Sequence, residues 1–128
     1  MKSQRVLSVG QCAPDNMSLR SFLTETFDVS WDTADSKSQA IEMSKAEEYA
    51  LVLVNRKLDA DYSEGMEVLK AIKTAEETAE TPVMIVSNFE DAQKTAVGVG
   101  AEYGFGKNEI GNDEVVDRLK PYLGEPKK

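Results

Sequence analysis

Four short stretches collect the groups in this chain that could do chemistry: Gly10-Gln11-Cys12, Asn55-Arg56, Ser87-Asn88 and Gly106-Lys107, each following a run of apolar residues. They offer amides, a hydroxyl, a thiol and an ammonium group, and no carboxylate. A hydroxyl and a lysine suit the binding of an anion. Hard anionic oxygens are missing, so a magnesium ion has nothing to prefer there. The chain contains no histidine, which excludes a histidine base and a phosphohistidine relay. Its single cysteine, Cys12, allows no internal disulfide. With only Lys107 as a possible cationic neighbour, that thiol has little reason to ionise, so redox sensing is disfavoured.

The elements that must position these groups follow from the hydrophobic pattern. Val6-Leu7-Ser8-Val9 reads as a first strand, and Pro14-Asp15-Asn16 open a helix with Leu19, Phe22 and Leu23 on one face. Phe27 to Trp31 alternates like a half-buried strand near a sheet edge, and Ser36 caps a second helix bearing Ala40, Ile41 and Met43. Ala50 to Val54 is continuously apolar, the mark of a strand covered on both faces. A helix beginning at Glu64-Gly65-Met66 is expected to run until Thr81-Pro82 breaks it. Val83 to Val86 repeats the buried-strand signature, Asp91 to Val99 is a weaker helix, Tyr103-Gly104-Phe105 is a fifth strand, and Asn112-Asp113 cap a last helix with Val115, Val116, Leu119 and Leu123. Strict alternation of strand and helix predicts an α/β domain with a doubly wound parallel sheet of five strands, (βα)5, in three layers. The 128 residues make one domain, with a core over about 5–123 and a flexible tail at 124–128, whose Lys127-Lys128 reads as a frayed end.

In such sheets ligands bind at the carboxyl ends of the strands, and there the sequence resembles a known family. Tyr49 to Leu58 followed by Glu64 to Ile72, Pro82 to Ser87, and Gly100-Ala101 to Lys107 are similar, in order and spacing, to the blocks of response-regulator receiver domains. The resemblance runs from about Arg5 to Leu123 and implies a flavodoxin-like fold. It also implies a phosphoacceptor aspartate where this chain has Asn55, and an acidic magnesium-binding pair where it has Gly10-Gln11 or Gln11-Cys12. A neutral amide gives no stable acyl phosphate. Ser87 and Lys107 match the family's phosphoryl-contacting hydroxyl and lysine. Asn108 replaces the usual proline, Gly104 takes the place of the aromatic switch, and the stretch from Asn55 to Gly65 is longer than usual by about two residues, carrying Asp59, Asp61 and Glu64. The expectation is a degenerate receiver (a pseudo-receiver) with no catalytic residue, no metal and no cofactor.

Alternatives remain at several positions. Asn55 is either a lost phosphoacceptor or a strand-ending turn residue. Lys107 either serves an anion site with Ser87 or is paired with Asp59 or Asp91. A phosphorelay through an unorthodox carboxylate, Asp59 or Asp61, is the second functional reading, and an anion or small-molecule sensor at Ser87 and Lys107 the third. Gly98 to Tyr103 lacks the third glycine of a dinucleotide loop and follows a helix, and no phosphate loop for a flavin follows the first strand. The family's partner and dimer face, on the fourth helix, fifth strand and fifth helix, would carry Val97, Val99, Tyr103, Gly104 and Phe105, with Trp31 a further aromatic of interest. A net charge of −8 argues against direct binding to nucleic acid or an anionic membrane. No apolar run is long enough to span a bilayer, and low cysteine usage favours the cytoplasm.

Overall fold

The computed structural model describes residues 4–127. Its elements are β1 (Gln4–Val9), α1 (Ala13–Thr26), β2 (Val29–Ala34), α2 (Lys37–Ala46), β3 (Leu51–Asn55), α3 (Gly65–Thr74), β4 (Val83–Val86), α4 (Glu90–Val99), β5 (Glu102–Phe105) and α5 (Asp113–Leu123). The five strands form one parallel sheet in the order β2-β1-β3-β4-β5, so the winding reverses between β1 and β3. That reversal opens a crevice above the ends of those two strands.

Period-two alternation along the buried strands splits the core into two layers. Leu7, Val9, Val52, Val54, Val83 and Ile85 pack against Ala40 of α2, Val68, Leu69 and Ile72 of α3, and Ala96 of α4. Val6, Leu51, Leu53, Met84 and Phe105 meet Leu19 and Leu23 of α1 and Val115, Leu119 and Leu123 of α5 on the other face. The three-layer architecture expected from the pattern is the one observed.

Three local expectations need correction. Strand β2 covers Val29–Ala34, because Phe27 closes α1 by donating its N–H to Leu23 O and buries its ring in the core. Helix α3 stops at Thr74, well before Thr81-Pro82. There the Thr78 hydroxyl donates to Ile72 O at 2.7 Å, a carbonyl that a longer helix would have used, and the Lys73 ammonium donates to Ala79 O and Thr81 O, so side chains fix the non-helical connection. Asn112 precedes α5 without a side-chain capping bond. Ser36 does cap α2, accepting from Gln39 N at 3.2 Å. In the tail expected to be flexible, Lys127 donates its backbone N–H to Thr26 O and its ammonium to Thr24 O, meeting the free carbonyls at the end of α1.

One buried side chain repairs the sheet itself. The ladder between β4 and β5 is irregular from Met84 to Val86. Gln93, on α4 and 3% exposed, reaches into that gap. Its Nε2 donates to Ile85 O at 2.8 Å and to Ser87 O at 3.2 Å, while its Oε1 accepts from Gly104 N at 2.9 Å. A β-carbon at Gly104 would meet Ile85 O and lie 3.1 Å from Gln93 Oε1, so the glycine makes room for the amide. Gln93→Leu leaves these strand groups buried and unpaired, and should cost roughly 2–4 kcal/mol in urea unfolding. A loss below about 0.5 kcal/mol would show that the amide is replaceable.

Candidate functional site

The strand ends converge as the pattern requires, but they build two hollows instead of one. Asn55, Arg56, Lys57, Ser87, Asn88 and Lys107 are among the residues lining the first, of about 210 Å³. Gln11 is absent from it and lines a second hollow on the β2 side of β1. Gly10 lies between them. Since β1 and β3 pair with Val9 beside Val54, Gly10 and Asn55 are the next residues on adjacent strands.

The longer connection after β3 creates the division. It folds into a small hairpin, closed by an antiparallel bridge between Lys57 and Glu64 and by Leu58 N donating to Ser63 O at 2.9 Å. Asp61 Oδ1 organises its tip by accepting from Ser63 N and Ser63 Oγ, and Tyr62 takes a left-handed conformation at φ 58°. The Ser63 hydroxyl, followed by the Ser63 N–H, holds the Asp61 carboxyl below the usual range. Two bonds tie the hairpin to the end of β1: Asp59 N donates to Gly10 O at 2.9 Å, and Asn55 Nδ2 donates to Gly10 O at 3.2 Å and to Lys57 O at 2.7 Å. The Asn55 amide has one usable orientation, because turning it over would set Oδ1 against two carbonyl oxygens.

Leu58 is the residue this hairpin delivers. It is fully buried, and it lies so close to Gly10 that a β-carbon there would meet its Cδ2 and come within 3.0 Å of its Cα. Gly10 also has φ +72°, the left-handed region in which glycine carries no steric penalty. No side chain can therefore project from position 10 toward Asn55.

Lys107 pairs with neither Asp59 nor Asp91. Its ammonium lies 2.6 Å from Asp15 Oδ2, on the first turn of α1. The hydrogen bond from Lys107 holds the Asp15 carboxyl below its ordinary value, partial burial opposes this, and the neighbouring Cys12 thiol assists. Asp15 also faces the positive end of α1, whose N-cap, Cys12, supplies no side-chain bond. Ser87, 7% exposed, accepts from Phe89 N at 3.1 Å, and Arg56 stacks over the Phe89 ring at 5.2 Å. Neither Asp59 nor Asp61 is among the residues lining the hollow that holds Ser87 and Lys107. Of the interface candidates, Gly104 and Phe105 are buried and Val99 packs partly on the core, so Val97 and Tyr103 alone are exposed. Trp31 is half-buried and donates to Asn16 Oδ1 at 3.3 Å.

Solved structures share this architecture over nearly the whole chain. The receiver domain of a sensor histidine kinase from Pseudomonas aeruginosa, with magnesium coordinated in its active-site cleft, superposes with a TM-score of 0.72 at 14% identity, covering 97% of this chain and 100% of that one. A putative response regulator from Chloroflexus aurantiacus gives 0.75 at 17% identity, covering 97% and 100%. The chemotaxis protein CheY4 of Vibrio cholerae gives 0.72 at 15% identity, covering 95% and 99%. The fold is that of receiver domains. No family model matches the sequence, and no curated protein matches it significantly.

The receiver fold implies a magnesium site, and the residues at these strand ends do not fit one. Gly10, Gln11 and Cys12 follow β1, where either alignment puts the family's acidic pair, Leu58 covers the first of them, and the described residues contain no group of three or more His, Cys, Asp or Glu side chains able to hold a metal. The sequence reading missed Leu58, Asp15 and Gln93. The only hint of the plug was the length of the Asn55–Gly65 connection. Asp15 was read only as part of the opening of the first helix, although that helix begins beside the site.

Two outcomes follow from this geometry. Asn55→Asp replaces a donor to two carbonyls by an acceptor, so it should destabilise the domain by roughly 1–3 kcal/mol in urea unfolding and take up no labile phosphate from acetyl phosphate. An unchanged midpoint, or a phosphorylated variant, would contradict the structural role of Asn55. For the ion pair, the Asp15 carboxyl is lowered on folding, so its contribution is present above the unfolded value and lost as pH falls through the folded one. Lys107→Met should therefore cost about 1 kcal/mol at neutral pH, and the gap to the parent should close below about pH 4. A gap independent of pH would mean that packing, and not charge, is what Lys107 supplies.

Proposed function

We propose that this chain is a receiver domain of the response-regulator type that works by protein–protein contact without accepting a phosphoryl group. One observation carries the reading. The amide at the phosphoacceptor position is engaged as a donor to Gly10 O and Lys57 O, and it anchors a hairpin whose Leu58 covers the end of β1. Nucleophilic attack needs an unengaged carboxylate oxygen facing phosphorus, and the residue at this position offers none. The family's lysine is in turn committed to Asp15, so the change in charge that normally drives a receiver's rearrangement has no starting point.

Contact with a partner then depends on a permanent surface. On the face formed by α4, β5 and α5, Val97 and Tyr103 are 45% and 42% exposed. Tyr103 is held in place: its hydroxyl donates to Glu90 Oε2 at 2.6 Å, the Arg118 guanidinium lies 5.1 Å from its ring centroid, and Arg118 also donates to Gly104 O at 2.6 Å. An aromatic ring fixed in one position loses little entropy on docking, which suits a constitutive protein partner or a second copy of the chain. No described helix is long and apolar enough to cross a membrane, and a cytoplasmic setting accords with the free cysteine.

A second reading has its own support: Arg56, Lys57, Lys107 and Ser87 line the first hollow, which gives it a positive character within an acidic protein. There an anion would compete with Asp15 for Lys107. Mass spectrometry after incubation with acetyl phosphate and magnesium separates the readings. The intact mass should stay unchanged, whereas the mass of one added phosphoryl group per chain would overturn the proposal. Inorganic phosphate raising the melting temperature without any change in mass would favour the anion reading.

A further inference from the structure

The second hollow has no part in the reading above and carries an inference of its own. It measures about 310 Å³, near the lower end of the range for small-molecule sites, and opens between the ends of β1 and β2 and the start of α1. Three of its polar atoms are buried without any protein partner: Gln11 Nε2, Gln11 Oε1 and Ser8 Oγ. Ser8 is 1% exposed and lies on β1, on the α1 side of the sheet. A buried amide with both its donor and its acceptor unmet is uncommon in a folded protein and points to a group supplied from outside.

The remaining walls define what that group is. Asn16 spends its Oδ1 on Trp31 Nε1 and keeps its amide hydrogens free. Thr33 adds a hydroxyl, and the carboxylates of Asp35 and Asp59 stand at the exposed rim. Among the described residues no lysine or arginine lines the hollow, and neither of these aspartates forms a salt bridge. Asp59 is held there by its own N–H, which donates to Gly10 O. Thus the rim attracts positive charge, and the floor offers one amide and one hydroxyl able both to donate and to accept.

We propose that this hollow binds a small amine carrying an oxygen function, such as an amino alcohol or an amino-acid amide. The ammonium group lies between Asp35 and Asp59, and the hydroxyl or amide group accepts from Gln11 Nε2 or the Ser8 hydroxyl and donates to Gln11 Oε1. The same hairpin that closes one side of the strand ends thereby furnishes, through Asp59, a wall of a site on the other.

Titration of the ¹⁵N-labelled protein with ethanolamine and with glycinamide tests this, with glycerol and inorganic phosphate as controls. The expected result is a saturable shift of the amide signals of Ser8 to Cys12 and Thr33 to Asp35 with at least one amine. Glycerol should give none, and phosphate should leave these signals unmoved. Asp35→Asn with Asp59→Asn changes exposed side chains, so it should fold normally and weaken binding at least tenfold. Gln11→Leu should abolish it. Linear, non-saturating shifts, equal binding of glycerol, or an unchanged affinity in the double variant would overturn the proposal. So would crystals soaked with either amine that show only ordered water at Gln11 and Ser8.

Discussion

The carboxamide of Asn55 is the interaction on which the carboxyl end of the sheet depends. Its Nδ2 donates to Gly10 O just after β1 and to Lys57 O in the hairpin, so one side chain joins the ends of two strands and the connection that follows. Only a residue with two hydrogens on a short stem does this. Once the hairpin is pinned, Leu58 is fixed against Gly10, and Gly10 must be a residue without a β-carbon. A strand terminus open to solvent in an ordinary doubly wound sheet is here partly roofed by an apolar side chain that belongs to the core.

Charge is rearranged to match. A lysine at the end of β5 with no anion beside it would be partly buried and uncompensated, a costly arrangement. Asp15 supplies the compensation from the first turn of α1, where a carboxylate is also favoured by the helix dipole. The pair bridges the crevice from β5 to α1 and has the geometry of a charge-assisted hydrogen bond. Lys57, paired with Glu64 at 3.5 Å, and Arg56, stacked on Phe89, are likewise engaged inside the protein. Each cation around the first hollow thus has a partner within the protein.

The fold was legible because its strands obey simple rules. Leu51 to Val54 and Val83 to Val86 are apolar on both faces, and only a covered parallel strand tolerates that. Errors fell where a local pattern has two physical solutions. Phe27 to Trp31 alternates like a strand, but Phe27 is core packing at the end of a helix, while α3 ends early where Thr78 satisfies the Ile72 carbonyl and Lys73 satisfies those of Ala79 and Thr81 in the connection that follows. At the site, Asn55, Ser87 and Lys107 were identified from strand ends alone, and the structure brings them together. What the sequence left open depends on tertiary geometry: that Lys107 turns to Asp15, that Leu58 packs on Gly10, and that Gln93 fills the gap between β4 and β5. Gln93 and Gly104 lie 11 positions apart, and nothing in their separate neighbourhoods signals that the amide replaces a missing strand contact.

The contacts around position 55 interlock, so no one of them can be altered alone. Here a carboxylate at position 55 faces the oxygens of Gly10 and Lys57, and any side chain at position 10 meets Leu58 in a backbone conformation that disfavours it. Shortening the connection to remove the hairpin would withdraw Leu58, fully buried, from the core. Each of these changes disturbs a contact that the others depend on. A site held this way is kept by the stability of the domain, which is why its present geometry, and not the chemistry of proteins that share the fold, is the sound basis for reading its function.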